Sequence, residues 1–151
     1  MTPSYTIDDY FSAVRRLHPE AEAVARKVHD HFTKLGLTLR FGEGKEPSAT
    51  FLSNEKLNVP LFIVGVDGTA AFAQITFSIY NHSKYAPFDR MEYRKSLSDK
   101  LMRIPEMPGP VGKAAGKPWF DLRILNSETS FLQFICIMHW MIESIDHHHQ
   151  L

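Results

Sequence analysis

A chain of 151 residues, 44% hydrophobic and 23% charged, excludes wholesale disorder and a collagen-like polymer, and it suffices for one ordinary domain with its own core. Seventeen basic side chains balance seventeen acidic ones, so the chain lacks the cationic excess usual in a nonspecific nucleic-acid binder. The single cysteine excludes an internal disulfide, MTPSYTIDDYF has no signal-peptide pattern, and no apolar run approaches the roughly 20 residues that cross a bilayer, which together predict a soluble, cytoplasmic protein.

Thr6 ahead of Ile7-Asp8-Asp9 predicts a helix start, with carboxylates at the positive end of the helix dipole. This helix carries Tyr10, Phe11 and Val14 and ends near His18-Pro19, because the residue before proline resists helical angles. Pro19 suits the first position of a second helix, whose apolar stripe is Ala21, Val24, Ala25, Val28, Phe32 and Leu35. Gly36 is placed to stop it. Leu37, Leu39 and Phe41 alternate with Thr38 and Arg40 as a half-buried strand, residues 42–47 break it, and Ala49 to Leu52 form a second strand before the polar loop Ser53–Asn58.

Val59–Tyr80 is the stretch around which the chain is organised, and it reads as a hairpin. Asp67-Gly68 suits a two-residue loop, since a type I′ turn needs positive φ at both central positions. On the first strand Leu61, Ile63 and Gly65 share one face, and Phe62, Val64 and Val66 the other. On the second, Ala71, Ala73, Ile75, Phe77 and Ile79 form a core face, opposite the aromatic and polar set Phe72, Gln74, Thr76, Ser78 and Tyr80. Pro60 indicates an edge strand or a residue outside the ladder.

Asn81 to Pro87 reads as a loop, and Asp89 with Glu92 predicts a capping box for a third helix. Tyr93, Leu97, Leu101 and Ile104 are its buried stripe, and Arg90, Arg94, Lys95, Lys100 and Arg103 lie largely off it. Residues 105–118, with four prolines and three glycines, are loop by composition. Phe120, Leu122 and Ile124 alternate as a last strand, and Asn126 or Ser127 caps a final helix from Glu128 to about Ile145. Phe131–Ile142 is apolar at ten of twelve positions, so this helix is central to the core or covered by a second chain. The predicted architecture is one α+β domain over residues 1–146, ordered α-α-β-β-β-β-α-β-α, with a His-rich tail at 147–151. It implies a mainly antiparallel sheet of four to five strands with helices on one face.

No motif on the chain assigns a reaction, and no catalytic residue, metal or cofactor is expected. His29 and His31 fall on different sides of a helix, His139 reads as a satisfied core histidine, and Cys136 reads as a buried thiol. Glu43-Gly44-Lys45 matches only the E-x-K half of a metal-dependent nuclease site and lies in a turn. Arg40, Gly42, Gly44 and Lys45 suit anion binding, because glycines admit backbone amides to a phosphate and the cations neutralise it; turn formation explains the same glycines. Residues 84–117 hold eight basic and four acidic side chains, against one and four from Asp121 onward, which makes Arg90 and Arg94 further candidate phosphate contacts. Phe72 and Tyr80 are candidate stacking surfaces for bases.

The run Gly42-Glu43-Gly44-Lys45, Ser48-Ala49-Thr50-Phe51, the hairpin with Gly68, Pro87-Phe88-Asp89, Arg94, Leu101, Ile104-Pro105, Pro118 to Leu125 and His139-Trp140-Met141-Ile142-Glu143 resembles an uncharacterised small bacterial domain family. Its members occur alone or appended to predicted restriction-type nucleases. The resemblance spans roughly residues 20–145 and implies an accessory role near nucleic acid, without implying an active site. Ser48-Ala49-Thr50 and Met102-Arg103 depart from the family pattern. The expected function is therefore a non-catalytic binding or interaction module, associated with nucleic acid in bacterial defence. The alternatives are a homodimer or partner-binding protein using residues 131–142, and a metal-dependent nuclease.

Overall fold

The computed structural model describes residues 5–42, 46–52, 60–65, 74–76, 86–105, 107 and 119–149. Helices α1 (Ile7–Leu17) and α2 (Glu22–Lys34) precede strands β1 (Thr38–Phe41), β2 (Ala49–Leu52), β3 (Pro60–Gly65) and β4 (Gln74–Thr76). Helix α3 (Met91–Met102), strand β5 (Trp119–Asp121) and helix α4 (Glu128–His148) follow. The fold is α+β, in the predicted element order. The five strands pair antiparallel in sequence order, β1-β2-β3-β4-β5.

Local chemistry sets most boundaries. Thr6 closes a capping box on α1: its hydroxyl accepts from the Asp9 N–H at 3.1 Å, and its own N–H donates to the Asp9 carboxylate at 2.8 Å. Helix α2 starts later than expected, because Pro19–Ala21 form a 3₁₀ turn ahead of it. It ends in a Schellman motif. Gly36 adopts φ +93°, its N–H donates to the Thr33 carbonyl, and the Leu37 N–H reaches the Phe32 carbonyl at 3.1 Å. Leu35, expected on the apolar stripe, is exposed instead, since the helix ends there and turns it outward.

Strand register fixes one face. Leu39 lies opposite Phe51, Phe51 opposite Phe62, Val64 opposite Ile75, and Ile75 opposite Phe120. Against that face lie Phe32 of α2, 5.3 Å from Phe62, and Phe134 of α4, 5.5 Å from Phe62 and 6.0 Å from Phe120. Tyr10 of α1 meets Phe41 on the same face at 5.9 Å. Three helices thus cover one side of the sheet, and the aromatic cluster between them is the centre of the core. Helix α3 packs outside α4 through Leu97, Leu101 and the contact of Phe88 with Trp140 at 5.4 Å. The Ser130 hydroxyl, fully buried, donates to the Pro105 carbonyl at 2.8 Å and ties the start of α4 to the end of the α3 segment.

Four further expectations are corrected. Gly65 pairs with Gln74, whereas a two-residue loop at Asp67-Gly68 would set it opposite Ala70, a register shift of four residues. The difference is even, so Ile75 keeps its predicted face beside Val64. Ile75 is buried, and Asp67-Gly68 itself lies outside the described residues. Pro60 marks neither an edge nor a residue outside the ladder: β3 is the middle strand, and the proline is its first residue, opposite Leu52 and beside a register irregularity between Phe51 and Leu52. The last strand stops at Asp121, whose carboxylate accepts from the Arg123 N–H at 2.8 Å and starts a 3₁₀ turn over Leu122–Asn126. Leu122 and Leu125 are buried by the three-residue repeat of that turn, not by strand alternation. Asp89 does not cap α3: Arg90 holds the N-cap position without a side-chain hydrogen bond.

Candidate functional site

The predicted anion contacts fall on separate elements. Arg40 is exposed on β1, at one edge of the sheet, opposite Thr50. Gly42 follows β1, and its N–H donates to the Ser48 carbonyl at 2.9 Å. A Cβ there would meet Ser48 Oγ at 3.7 Å, an ordinary contact, so close approach does not require glycine at this position. Arg90 is exposed at the start of α3, and Arg94, one turn on, is half-buried and engaged within the chain. Gly44 and Lys45 lie outside the described residues, as do both stacking candidates, Phe72 and Tyr80. The described members of the set belong to a sheet edge and to a helix that packs on α4.

The cations divide into two groups. Around α1 and α2 all but the exposed Lys34 are engaged within the chain. Arg15 donates to both oxygens of Glu22, the shortest bond being 2.8 Å, and Arg26 donates to Glu22 at 3.1 Å while its guanidinium lies 4.2 Å over the Phe11 ring. Arg16 reaches Glu46 at 2.7 Å, and Lys27 lies 4.2 Å over Phe131. Hydrogen bonding from Arg15, reinforced by Arg26, outweighs desolvation and lowers the Glu22 carboxyl to about 2. Helix α3 differs. Arg90, Lys95 and Arg103 are exposed and, among the described residues, their side chains take no hydrogen bond or ion pair. From Arg90 to Arg103 there are five basic side chains (90, 94, 95, 100, 103) and two acidic ones (92, 99), a local excess of three within a neutral chain.

Sequence reasoning missed the groove beside these cations. Between α3 and α4, Lys100, Arg103, Gln133, Cys136, Ile137 and Trp140 line an open cleft of about 200 Å³. Lys100 Nζ lies 4.7 Å over the Trp140 ring. Cys136 is exposed there, contrary to the buried thiol expected from its apolar neighbours. The usable signal was spacing: Cys136 and Trp140 are four apart on one helix, and Lys100 and Arg103 three apart on another, so each pair shares a face.

The core face of α4 buries Phe131, Phe134, Ile137, Met138, Met141 and Ile145 within the chain. Its apolar excess is mostly met by α2, α3 and the sheet, and Leu132, 53% exposed, is the large apolar side chain left outside. The helix also runs three residues past Ile145, so His147 and His148 close its last turn. His139 is not satisfied: its Nε2 and that of His31 are both buried without a hydrogen-bond partner, the rings 5.9 Å apart. Desolvation first, then His139 and Lys34, lowers the His31 pKa. The Tyr10 hydroxyl is likewise buried without a partner, and burial raises its pKa. Among the described residues no group of three or more histidine, cysteine, aspartate or glutamate side chains is arranged to hold a metal ion, and no helix is long and apolar enough to cross a membrane. The described site can attract and hold negative charge. Comparison of the chain with family models, curated proteins and solved structures finds no match.

Proposed function

We propose that the chain is a non-catalytic binding module of the bacterial cytoplasm that takes nucleic acid along α3, with Arg90, Lys95 and Arg103 as phosphate contacts. The observation that carries this reading is the exposed, unneutralised state of those three cations beside an α1–α2 region whose arginines are paired with carboxylates. Phosphates on a nucleic-acid backbone hold condensed counterions, and cations free of internal partners displace them at little cost. The family resemblance points the same way. Fluorescence anisotropy of labelled single- and double-stranded oligonucleotides, at two salt concentrations, tests it. Affinity should fall with salt at a log–log slope of about −2 to −3, as three phosphate contacts imply, and replacing the three cations by glutamine should flatten the slope. Absence of binding at low salt removes the proposal.

Self-association through residues 131–142 is the second reading, supported by the exposure of Leu132 on α4 and Met102 on α3. Sedimentation equilibrium of the full chain decides it; a strict monomer eliminates it.

A further inference from the structure

We propose that the α3–α4 cleft is the seat of a single phosphate monoester carried on an apolar or planar body, as in a mononucleotide or the phosphorylated end of a strand. The inference rests on the anionic-partner reading above and supplies its specific contact. Among the described residues two cations line the cleft and no carboxylate does: Lys100 from the last turn of α3 and Arg103 three residues on. Their summed charge of two matches a monoester dianion, and an arginine fork beside a lysine point charge is suited to phosphate oxygens. Gln133, exposed on α4, adds an amide that can donate. Ile137 and Trp140 supply the apolar wall for the body that carries the phosphate. At about 200 Å³ the open cleft suits one such group and not a length of polymer.

Cys136 lies in the same cleft and is the only cysteine of the chain, so its alkylation reports occupancy without a label. The experiment treats the full chain with iodoacetamide, an uncharged reagent, and follows the single adduct by intact mass. Inorganic phosphate, adenosine monophosphate, adenosine and a 5′-phosphorylated oligonucleotide are the added probes. Adenosine monophosphate near saturation should slow alkylation about fivefold, as ~80% occupancy implies, inorganic phosphate should slow it less, and adenosine should leave it unchanged. The slowing should vanish in a Lys100→Gln/Arg103→Gln variant when each protein is compared with its own ligand-free rate. Equal slowing by adenosine, no slowing by either phosphate compound, or slowing that survives the double substitution overturns the proposal. Oligonucleotide binding without protection of Cys136 overturns the cleft and leaves the binding module; protection by adenosine monophosphate with no oligonucleotide binding does the reverse.

Discussion

Helices α1 and α3 begin in opposite ways. At the start of α1, Thr6 and Asp9 satisfy one another's backbone amides, and Asp8 and Asp9 sit at the positive end of the dipole. At the start of α3, Arg90 occupies the cap with no side-chain hydrogen bond, a cation placed where the dipole is also positive. The contrast continues along both regions. Arg15 and Arg26 converge on Glu22, while Lys95 and Arg103 have no such acid among the described residues. A region arranged for stability and a region that forgoes it sit in one small domain, and forgone stability of this kind is what the binding surface proposed for α3 would require.

Substitutions test whether that division is real. The largest effect belongs to the core that both regions share: Phe62→Ala removes a ring stacked on Phe51 at 4.7 Å and in contact with Phe32 and Phe134, and should cost about 3–5 kcal/mol in urea denaturation. The two helix starts come next. Thr6→Ala should lose about 1 kcal/mol, whereas Arg90→Asp should gain about 1 kcal/mol by supplying a cap and removing a misplaced cation. The same Arg90→Asp protein should bind oligonucleotide more weakly; a variant that loses stability instead would mean that Arg90 is structural.

The smallest effects separate the paired from the unpaired charges. The Glu22 carboxyl is held below its ordinary value when folded, so its contribution is present above about 4.5 and is lost as pH falls toward about 2. Glu22→Gln should therefore flatten the acid limb of a pH–stability curve over that window, and Arg103→Gln should leave the limb where it was. An Arg103→Gln protein with altered acid unfolding would erase the distinction between the two groups.

Where backbone chemistry is local, the sequence was legible. The Thr6 start, the Gly36 stop, the Ala49–Leu52 strand, the Ser127 cap and the element order all follow from residues within one turn of the event. Register was not legible, since the Asp67-Gly68 signal names a good turn without saying how much chain the connection uses. The short last strand escaped because alternation at Phe120, Leu122 and Ile124 looks the same whether Asp121 continues a strand or caps a 3₁₀ turn. Site residues fared worse. Charge density located α3 but could not tell Arg94, held within the chain, from Arg103, and composition around Cys136 concealed that its own position on α4 points outward. Such distinctions depend on which helix packs where, which is a property of the whole fold.

The order of strands carries a consequence for how the chain comes to be assembled. Neighbours from β1 to β4 are also neighbours along the chain, but β4 meets β5 only after residues 77–118 have intervened. A chain emerging from the ribosome can therefore zip four strands early by short loop closures, and then must wait with β4 as a bare edge. During that interval any extended segment, its own or a neighbour's, competes for the place of Trp119–Asp121, and the speed with which α3 docks decides how long the competition lasts.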